Sequence, residues 1–304
     1  MKAEIFEFTG HDGVRLPGYI WLPDGQVNGV LQVAHGMTEH MGRYEALAEF
    51  LCSMSIAVAG FDLRGHGKNT GDPKVASFGV GGWDASLEDM RRFYNLLQNR
   101  FAGTKHYMLG FSLGSFLLRE YLTKYSAEGE IDGAIIMGTG HQPGWLLSIM
   151  MGIVKSQIQK AGFDNSTDLV RQLSFETYNQ KFKPNRTSAD WLCADETALD
   201  QYLADPLVRQ DISAGLFWEL LGSMKRAGNA CTYRVPILLI SGQDDPVGDA
   251  GKGVQALYAR MKKKGTENVT LKLLPGARHD LLHEEKTCAS AARQILADWI
   301  AAHG

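Results

Sequence analysis

The chain has 304 residues, of which 44% are hydrophobic and 21% are charged, so it can bury a large core and is expected to be ordered. A net charge of -3 and a pI of about 6.3 leave no basic stripe of the kind that a phosphate backbone requires, which argues against a nucleic-acid partner. The most apolar window, residues 144–154, is too short to span a membrane.

The first 23 residues alternate apolar and polar side chains, a pattern that predicts a β-hairpin. They lack the continuous apolar run of a signal peptide. No two cysteines form a C-x-x-C pair, which argues against a zinc ribbon or a redox motif and favours reduced thiols. We therefore expect a cytoplasmic protein.

Short apolar runs alternate with segments of helical period along most of the chain. The apolar runs are typical of a parallel sheet buried on both faces, and they lie at residues 29–35, 55–62, 105–111, 133–139, 236–242 and 269–276. The segments of helical period lie at residues 43–54, 84–101, 115–125, 253–264 and 289–303. This alternation predicts an α/β fold, with a mostly parallel, doubly wound sheet covered by helices on both faces.

The alternation is interrupted between residues 142 and 230, where helix-like segments rich in Met and Trp follow one another without a convincing strand. Long structureless connections are uncommon inside compact domains. We expect residues 142–230 to form a helical cap inserted into a core built from residues 1–141 and 231–304.

A G-x-S-x-G motif surrounds Ser112, between a predicted strand and a predicted helix. A sharp turn at this point would strain the serine backbone and bring neighbouring segments so close that only Gly110 and Gly114 fit beside it. The turn would also direct the N–H of Leu113, at the start of the helix, toward a negative charge forming near the serine.

A serine hydroxyl becomes a strong nucleophile when an imidazole takes its proton and a carboxylate holds that imidazole. In this arrangement the acid and then the histidine are expected at later strand ends. The acidic pair Asp244 and Asp245 follows one strand, and His279 follows the next. Spacing alone does not separate these adjacent carboxylates, and the preference for Asp245 over Asp244 comes from the family resemblance given below. His283, four residues after His279, could suggest a metal pair, but H-E-x-x-H is absent, and we predict neither metal nor cofactor.

The loop after the strand at 29–35 is the expected source of a second backbone donor. His35 and Gly36 allow a tight turn that would direct the N–H of Met37 at the reacting oxygen.

The stretches "HGMTEHMGRY", "FDLRGHGKN", "GFSLGS", "ISGQDDPVG" and "GARHDLLHE" resemble the successive signatures of the α/β-hydrolase superfamily. The resemblance is strongest to its monoacylglycerol lipase and lysophospholipase-like branch, which also includes serine aminopeptidase-like members, and it covers nearly the whole chain. It implies an α/β-hydrolase fold, a Ser112, Asp245 and His279 triad, and backbone donors from Met37 and Leu113. Met41 and the pair at 68–69 depart from the usual pattern, away from the reacting groups.

The cap carries many apolar side chains, which either pack the cap on the sheet or line an acyl pocket. Candidates for the pocket are Trp145, Met150, Met151 and Trp218. Methionine adapts to flexible chains, which suits a lipid tail.

The sequence thus predicts a serine carboxylester hydrolase acting on single-chain acyl esters, with activity that falls in acid because the imidazole must be neutral. One alternative is a serine aminopeptidase or amidase, for which Asp195 and Glu196 could recognise a substrate amine. Another is a catalytically silent binding protein on the same fold. The expected partner is a small lipid or acyl ester; transient contact of the cap with a membrane surface and the oligomeric state are open.

Overall fold

A computed structural model describes residues 1–69, 71–125 and 131–303 of the chain. Its main feature is an eight-stranded sheet with the strand order β1-β2-β4-β3-β6-β7-β9-β10. The strands of this sheet are β1 Lys2–Thr9, β2 Arg15–Leu22, β3 Gly29–Ala34, β4 Ile56–Phe61, β6 Lys105–Phe111, β7 Gly133–Met137, β9 Ile237–Gly242 and β10 Val269–Leu274. A separate two-stranded sheet pairs β5, Val75–Ala76, with β8, Asp211–Ile212.

Strands β1 and β2 form the predicted antiparallel hairpin, and β2 pairs antiparallel with β4. All other neighbours in the main sheet are parallel. The predicted α/β fold with a mostly parallel sheet is therefore confirmed. Strand β8 was missed by the sequence interpretation, because two residues are too few to show an alternating pattern.

The helices described by the structure follow the predicted alternation, with boundaries shifted by a few residues. They are α1 Glu45–Cys52, α2 Gly82–Arg100, α3 Leu113–Tyr125, α4 Gly144–Ala161, α5 Asp168–Arg171, α6 Thr177–Asn179, α7 Glu196–Ala204, α8 Ala214–Asn229, α9 Lys252–Lys263 and α10 Lys286–Ala301. Helix α3 begins directly after Ser112, two residues earlier than expected.

The sheet is buried on both faces, as its continuous apolar strands require. All six residues of β3 are buried, and its side chains alternate between the two cores. Val30 packs in a core with α2, α3 and α9, whereas Leu31 packs in a core with α1 and α10. The two-residue period of the strand therefore divides the helices between two layers.

Between β7 and β9 the chain leaves the sheet and forms α4 to α8, with a π-helical turn at Gln172–Glu176. Ser213 caps the N-terminus of helix α8, because its hydroxyl accepts a hydrogen bond from the N–H of Leu216. Helices α4 and α8 pack together, and α8 also lies against α3 of the core. This segment therefore covers the carboxyl end of β6, where Ser112 lies. Within the described residues, no helix is long and apolar enough to cross a membrane.

Candidate active site

Ser112 lies at the turn between β6 and α3, with a positive φ of 50°. Residues other than glycine rarely adopt this left-handed conformation, and its strain is typical of functional turns. A Cβ atom on Gly114 would lie 2.0 Å from the Ala34 carbonyl oxygen, and one on Gly110 would lie 2.3 Å from the Gly114 carbonyl oxygen. Only glycine fits at these two positions because the obstructing atoms belong to the backbone.

His279 follows β10 and contacts the carboxylate that follows β9. Its Nδ1 lies 2.9 Å from Oδ1 of Asp245, and both side chains are buried. The same carboxylate accepts hydrogen bonds from the Val247 N–H at 2.8 Å and from the Ser241 hydroxyl at 3.1 Å. Asp244 is exposed to solvent and is not the partner of the histidine.

The tautomer of the His279 ring follows from these contacts. A carboxylate only accepts hydrogen bonds, so Nδ1 carries a proton and donates a hydrogen bond to Asp245. In the neutral form of the ring, Nε2 is therefore the bare acceptor. Nε2 is buried and has no hydrogen-bond partner within the described residues, and His279 and Ser112 line the same small cavity.

Two aromatic rings lie close to the imidazole of His279. The ring centroid of His279 lies 4.9 Å from that of Phe111 and 5.0 Å from that of Trp191. Phe111 ends strand β6, whereas Trp191 comes from the segment between β7 and β9. These rings are part of the packing that buries His279 and keeps water from its imidazole.

The two predicted backbone donors lie beside Ser112. Met37 follows β3, Leu113 begins α3, and both line an apolar cavity together with the serine. Neither N–H donates a hydrogen bond within the part of the chain that the structure describes. Two unused N–H groups beside a serine are suited to bind an oxyanion.

A buried ionic cluster supports the loop that carries Met37. The Glu39 carboxylate accepts a hydrogen bond from the Gly36 N–H at 2.6 Å and pairs with the Arg43 guanidinium at 3.0 Å. Arg43 also donates to Asp280, next to His279, at 2.7 Å. Burial alone would raise the pKa of Asp280, but the attraction of His283 and Arg43 holds it below its ordinary value. The cluster ties the two loops beside Ser112 together.

His35 and His40 act within this loop as structural groups. The Nδ1 of His35 lies 2.8 Å from the Gly36 carbonyl oxygen and its Nε2 accepts from the Leu63 N–H at 2.9 Å, so the ring is neutral. Burial lowers the pKa of His35 to about 3. The Nε2 of His40 lies 2.9 Å from the Asp205 carboxylate, which belongs to the segment between β7 and β9.

The apolar cavity beside Ser112 has a volume of about 180 Å³. Its walls include Met37, Ser112, Leu113, Phe116, Gln142, Leu146, Leu147, Met150, Leu173, Ser174, Thr177, Tyr178, Trp191, Phe217, Leu220, Leu221, Met224 and Val247. Among the four predicted pocket residues, Met150 lines this cavity, whereas Trp145, Met151 and Trp218 lie outside its walls. The reason is helical geometry: Leu146 and Met150, four residues apart, share the inner face of α4, and Trp145 is 68% exposed on the outer face.

A second cavity, of about 380 Å³, lies on the other side of Trp191 and is more polar. Its charged lining residues are Arg171, Glu176, Asp205 and Arg209. Thr38, Tyr202 and Trp191 line both this cavity and the small one that holds Ser112 and His279. The π-helical turn separates the two larger cavities, with Leu173 on the apolar side and Glu176 on the polar side.

Trp191 and Tyr202 are the main residues beside Ser112 that the sequence interpretation missed. Both belong to the segment between β7 and β9, and their contacts with His279 and Thr38 span 88 and 164 positions of the chain. No local pattern signals such contacts. The described residues contain no group of three or more His, Cys, Asp or Glu side chains arranged to hold a metal ion.

The fold and the elbow at Ser112 define an α/β-hydrolase. A family model described as serine aminopeptidase S33 (Hydrolase_4) matches residues 25–286. The chain therefore belongs to this family, and the resemblance drawn from its motifs is confirmed.

Two curated relatives carry monoacylglycerol lipase names. The chain is 26% identical over 300 residues to the monoacylglycerol lipase of Mycolicibacterium smegmatis, covering 97% of this chain and 96% of that protein. It is 28% identical over 280 residues to the human monoglyceride lipase, covering 90% and 82%. A thermostable carboxyl esterase from Bacillus coagulans, crystallised with glycerol, has the same fold with a TM-score of 0.85, 21% identity and 99% coverage of both chains.

Proposed function

We propose that this protein is a serine carboxylester hydrolase that cleaves single-chain acyl esters through an acyl-enzyme on Ser112. One observation about the His279 ring carries the proposal. Its Nδ1 is hydrogen-bonded to Asp245, whereas its Nε2 has no hydrogen-bond partner among the described residues. His279 and Ser112 line one cavity, and a histidine that offers a free ring nitrogen beside a serine is what serine catalysis requires. The names of the curated relatives support ester hydrolysis.

In the first half of the reaction, the Ser112 hydroxyl oxygen attacks the ester carbonyl carbon and its proton passes to Nε2 of His279. Asp245 stabilises the resulting imidazolium. The carbonyl oxygen becomes an oxyanion that the N–H groups of Met37 and Leu113 bind. The bond to the leaving alcohol then breaks, and the alcohol takes the proton from Nε2.

In the second half, water occupies the place of the alcohol. Nε2 of His279 removes a proton from the water as it attacks the acyl carbon. The second tetrahedral intermediate then collapses, Ser112 recovers its proton from the imidazolium, and the fatty acid leaves. The enzyme returns to its starting state with one ester bond hydrolysed.

The two cavities favour an acyl ester with an uncharged polar alcohol. The apolar cavity around Met150 suits the acyl chain. The charged side chains of the polar cavity carry both signs, and two of them are already paired, Arg171 with Asp211 and Asp205 with His40. The Arg209 guanidinium is also engaged, since it donates to the Gly67 carbonyl oxygen at 2.9 Å. Neither cation of this lining is therefore free to bind the phosphate of a phosphocholine group. We therefore propose monoacylglycerols rather than lysophospholipids as the substrate class.

The test is hydrolysis by wild type and Ser112→Ala of p-nitrophenyl esters of graded acyl length, 1-monoacylglycerols, lysophosphatidylcholine and aminoacyl anilides. We expect wild type to hydrolyse esters and monoacylglycerols and the variant to lose activity. Cleavage of anilides alone would instead establish the aminopeptidase alternative. No turnover by folded wild type would establish a silent binding protein.

Asp195 and Glu196, which the sequence suggested as an amine site for the aminopeptidase alternative, do not form such a site in the structure. The Asp195 carboxylate accepts a hydrogen bond from the Ala198 N–H at 2.9 Å, which caps α7, and Glu196 is exposed. Neither residue lines the cavities described above.

Several expectations from the sequence stay predictions. These are the division into a core and a cap at residues 142–230, the cytoplasmic location, and contact of the cap with a membrane surface. The outer face of α4 exposes Trp145, Ile149 and Ile153, which supports such a contact.

A further inference from the structure

Thr38 has an unusual backbone conformation next to the proposed oxyanion donor Met37. Its φ is 69°, in the left-handed region that β-branched residues avoid. A strained residue of this kind persists only where its surroundings hold it in place. The contacts of Thr38 therefore decide how the preceding peptide is oriented.

The segment between β7 and β9 contacts Thr38 at two points. The N–H of Arg209 donates to the Thr38 carbonyl oxygen at 2.8 Å. The Thr38 hydroxyl oxygen lies 2.7 Å from the Tyr202 hydroxyl on α7. The Arg209 guanidinium in turn donates to the Gly67 carbonyl oxygen at 2.9 Å, so this contact is anchored in the core.

The direction of the hydrogen bonds follows from the number of protons. Thr38 has one hydroxyl proton, and it is donated to the Met37 carbonyl oxygen at 2.5 Å. The Thr38 oxygen must therefore accept from Tyr202, whose phenol stays protonated because burial raises its pKa to about 12. The Arg43 guanidinium lies over the Tyr202 ring, 4.7 Å from its centroid, and also helps to hold it in place.

We propose that Tyr202 is a positioning residue for the oxyanion hole, acting through Thr38 on the peptide of Met37. The chain of hydrogen bonds runs from the phenol to the Thr38 hydroxyl and on to the Met37 carbonyl oxygen. The Met37 carbonyl and the Met37 N–H lie in the two peptide planes that meet at the Met37 Cα. Holding the carbonyl and the strained φ of Thr38 fixes the first plane, and the hydrogen bond from the Gly36 N–H to Glu39 holds the chain on the other side of the Met37 N–H. The proposal rests on the proposed function, in which this N–H binds the oxyanion at Ser112.

This arrangement makes the oxyanion hole depend on a residue of α7 and not only on the core. When α7 is in place, Thr38 is held and the Met37 N–H points into the cavity. When α7 moves away, the strained turn loses the hydrogen bond from Tyr202. Binding of substrate under the cap and stabilisation of the transition state are thereby coupled.

The experiment compares Tyr202→Phe, Thr38→Val, Thr38→Ser and the double variant Tyr202→Phe/Thr38→Val with wild type. Steady-state kinetics with p-nitrophenyl butyrate give kcat and KM. The inhibition constant of a short alkyl trifluoromethyl ketone, whose adduct with serine carries an oxyanion, reports on the oxyanion hole. Tyr258→Phe on α9 is a matched control, and thermal unfolding confirms that each variant is folded.

We expect Tyr202→Phe and Thr38→Val each to lower kcat by roughly 3- to 15-fold, the worth of one neutral hydrogen bond, with KM within about twofold. The inhibition constant should rise by the same factor. Thr38→Ser keeps the hydroxyl and should keep most of the activity. The double variant should be no worse than the poorer single variant, because both changes break the same chain.

Three results would overturn the proposal. If wild type is active and Tyr202→Phe leaves kcat unchanged, the positioning role is refuted but the proposed function is not. A raised KM with unchanged kcat would show that the Tyr202 phenol contacts substrate instead. A folded wild type that hydrolyses no ester would overturn the proposed function and this inference together.

Discussion

The buried carboxylate of Asp245 lies 2.9 Å from Nδ1 of His279, and the adjacent carboxylate of Asp244 is exposed. One hydrogen bond thus fixes the tautomer of the imidazole and leaves Nε2 available toward the cavity of Ser112. The adjacent pair gives a matched comparison, since the two carboxylates are chemically alike and differ in their surroundings.

Asp245→Asn should lower kcat for p-nitrophenyl esters by about 10⁴-fold, because an amide can donate to Nδ1 and favour the wrong tautomer. Asp244→Asn should leave kcat within about twofold, since this side chain touches solvent. Steady-state kinetics and thermal unfolding of both variants measure the effect. Equal losses in the two variants would contradict the assignment of the acid.

Gly114→Ala should destabilise the protein by about 3 kcal/mol or more, because its Cβ would lie 2.0 Å from the Ala34 carbonyl oxygen and neither backbone can yield. Gly152→Ala is the control, since it lies in exposed α4 with no atom within 4 Å of its Cβ position. We expect that change to stabilise by up to about 1 kcal/mol. Urea unfolding measures both, and a stable Gly114→Ala would contradict the tight turn.

Met150→Trp should shorten the acyl chain that the enzyme accepts. The larger side chain fills part of the 180 Å³ cavity beside Ser112. Hydrolysis of long p-nitrophenyl esters should fall by about tenfold or more relative to the butyrate, whose turnover stays within about threefold. Ile149→Trp makes the same substitution on the outer face of α4, where the side chain is 54% exposed. An equal change in acyl-length preference in both variants would show that the acyl chain does not bind in this cavity.

Glu219 on α8 should make stability depend on pH. Desolvation raises the pKa of this carboxyl to about 7, although a hydrogen bond from the backbone N–H of Trp83, at the start of α2, lowers it. The folded state therefore binds a proton more tightly than the unfolded state, so this contribution to stability is complete below the ordinary pKa of 4.5 and is lost as the pH rises to about 7.

Glu219→Gln keeps the shape of the side chain and cannot ionise. We expect its melting temperature to exceed that of wild type at pH 8 by roughly 1 to 3 °C, with the difference closing at pH 4. Scanning calorimetry at the two pH values measures this. A melting-temperature difference that is larger at pH 4 than at pH 8 would show that the Glu219 carboxyl does not have a raised pKa in the folded state.

The sheet and the core helices could be predicted because their patterns are local. Strand β6 was placed at its observed bounds, and α3 was placed within two residues, since apolar runs and helical periods mark buried elements. Ser112 was recognised by its position between them. The choice between Asp244 and Asp245 rested on family resemblance, because the turn after β9 decides which carboxylate is buried.

The surroundings of the serine could be predicted less well, because they depend on contacts between distant parts of the chain. The rotation of α4 places Met150 inside and Trp145 outside, and the apolar composition of that helix does not reveal its inner face. The contact of Tyr202 with Thr38 likewise depends on how α7 lies against the loop after β3. Such packing is set by the tertiary fold.

The most direct test of the central claim is to label the protein with a fluorophosphonate and to locate the adduct by peptide mass spectrometry. An activated serine displaces fluoride and keeps the phosphonyl group. We predict one adduct, on Ser112, with labelling abolished in Ser112→Ala and at least about 100-fold slower in His279→Ala. A folded wild type that takes up no label, or takes it up at another residue, would contradict the account.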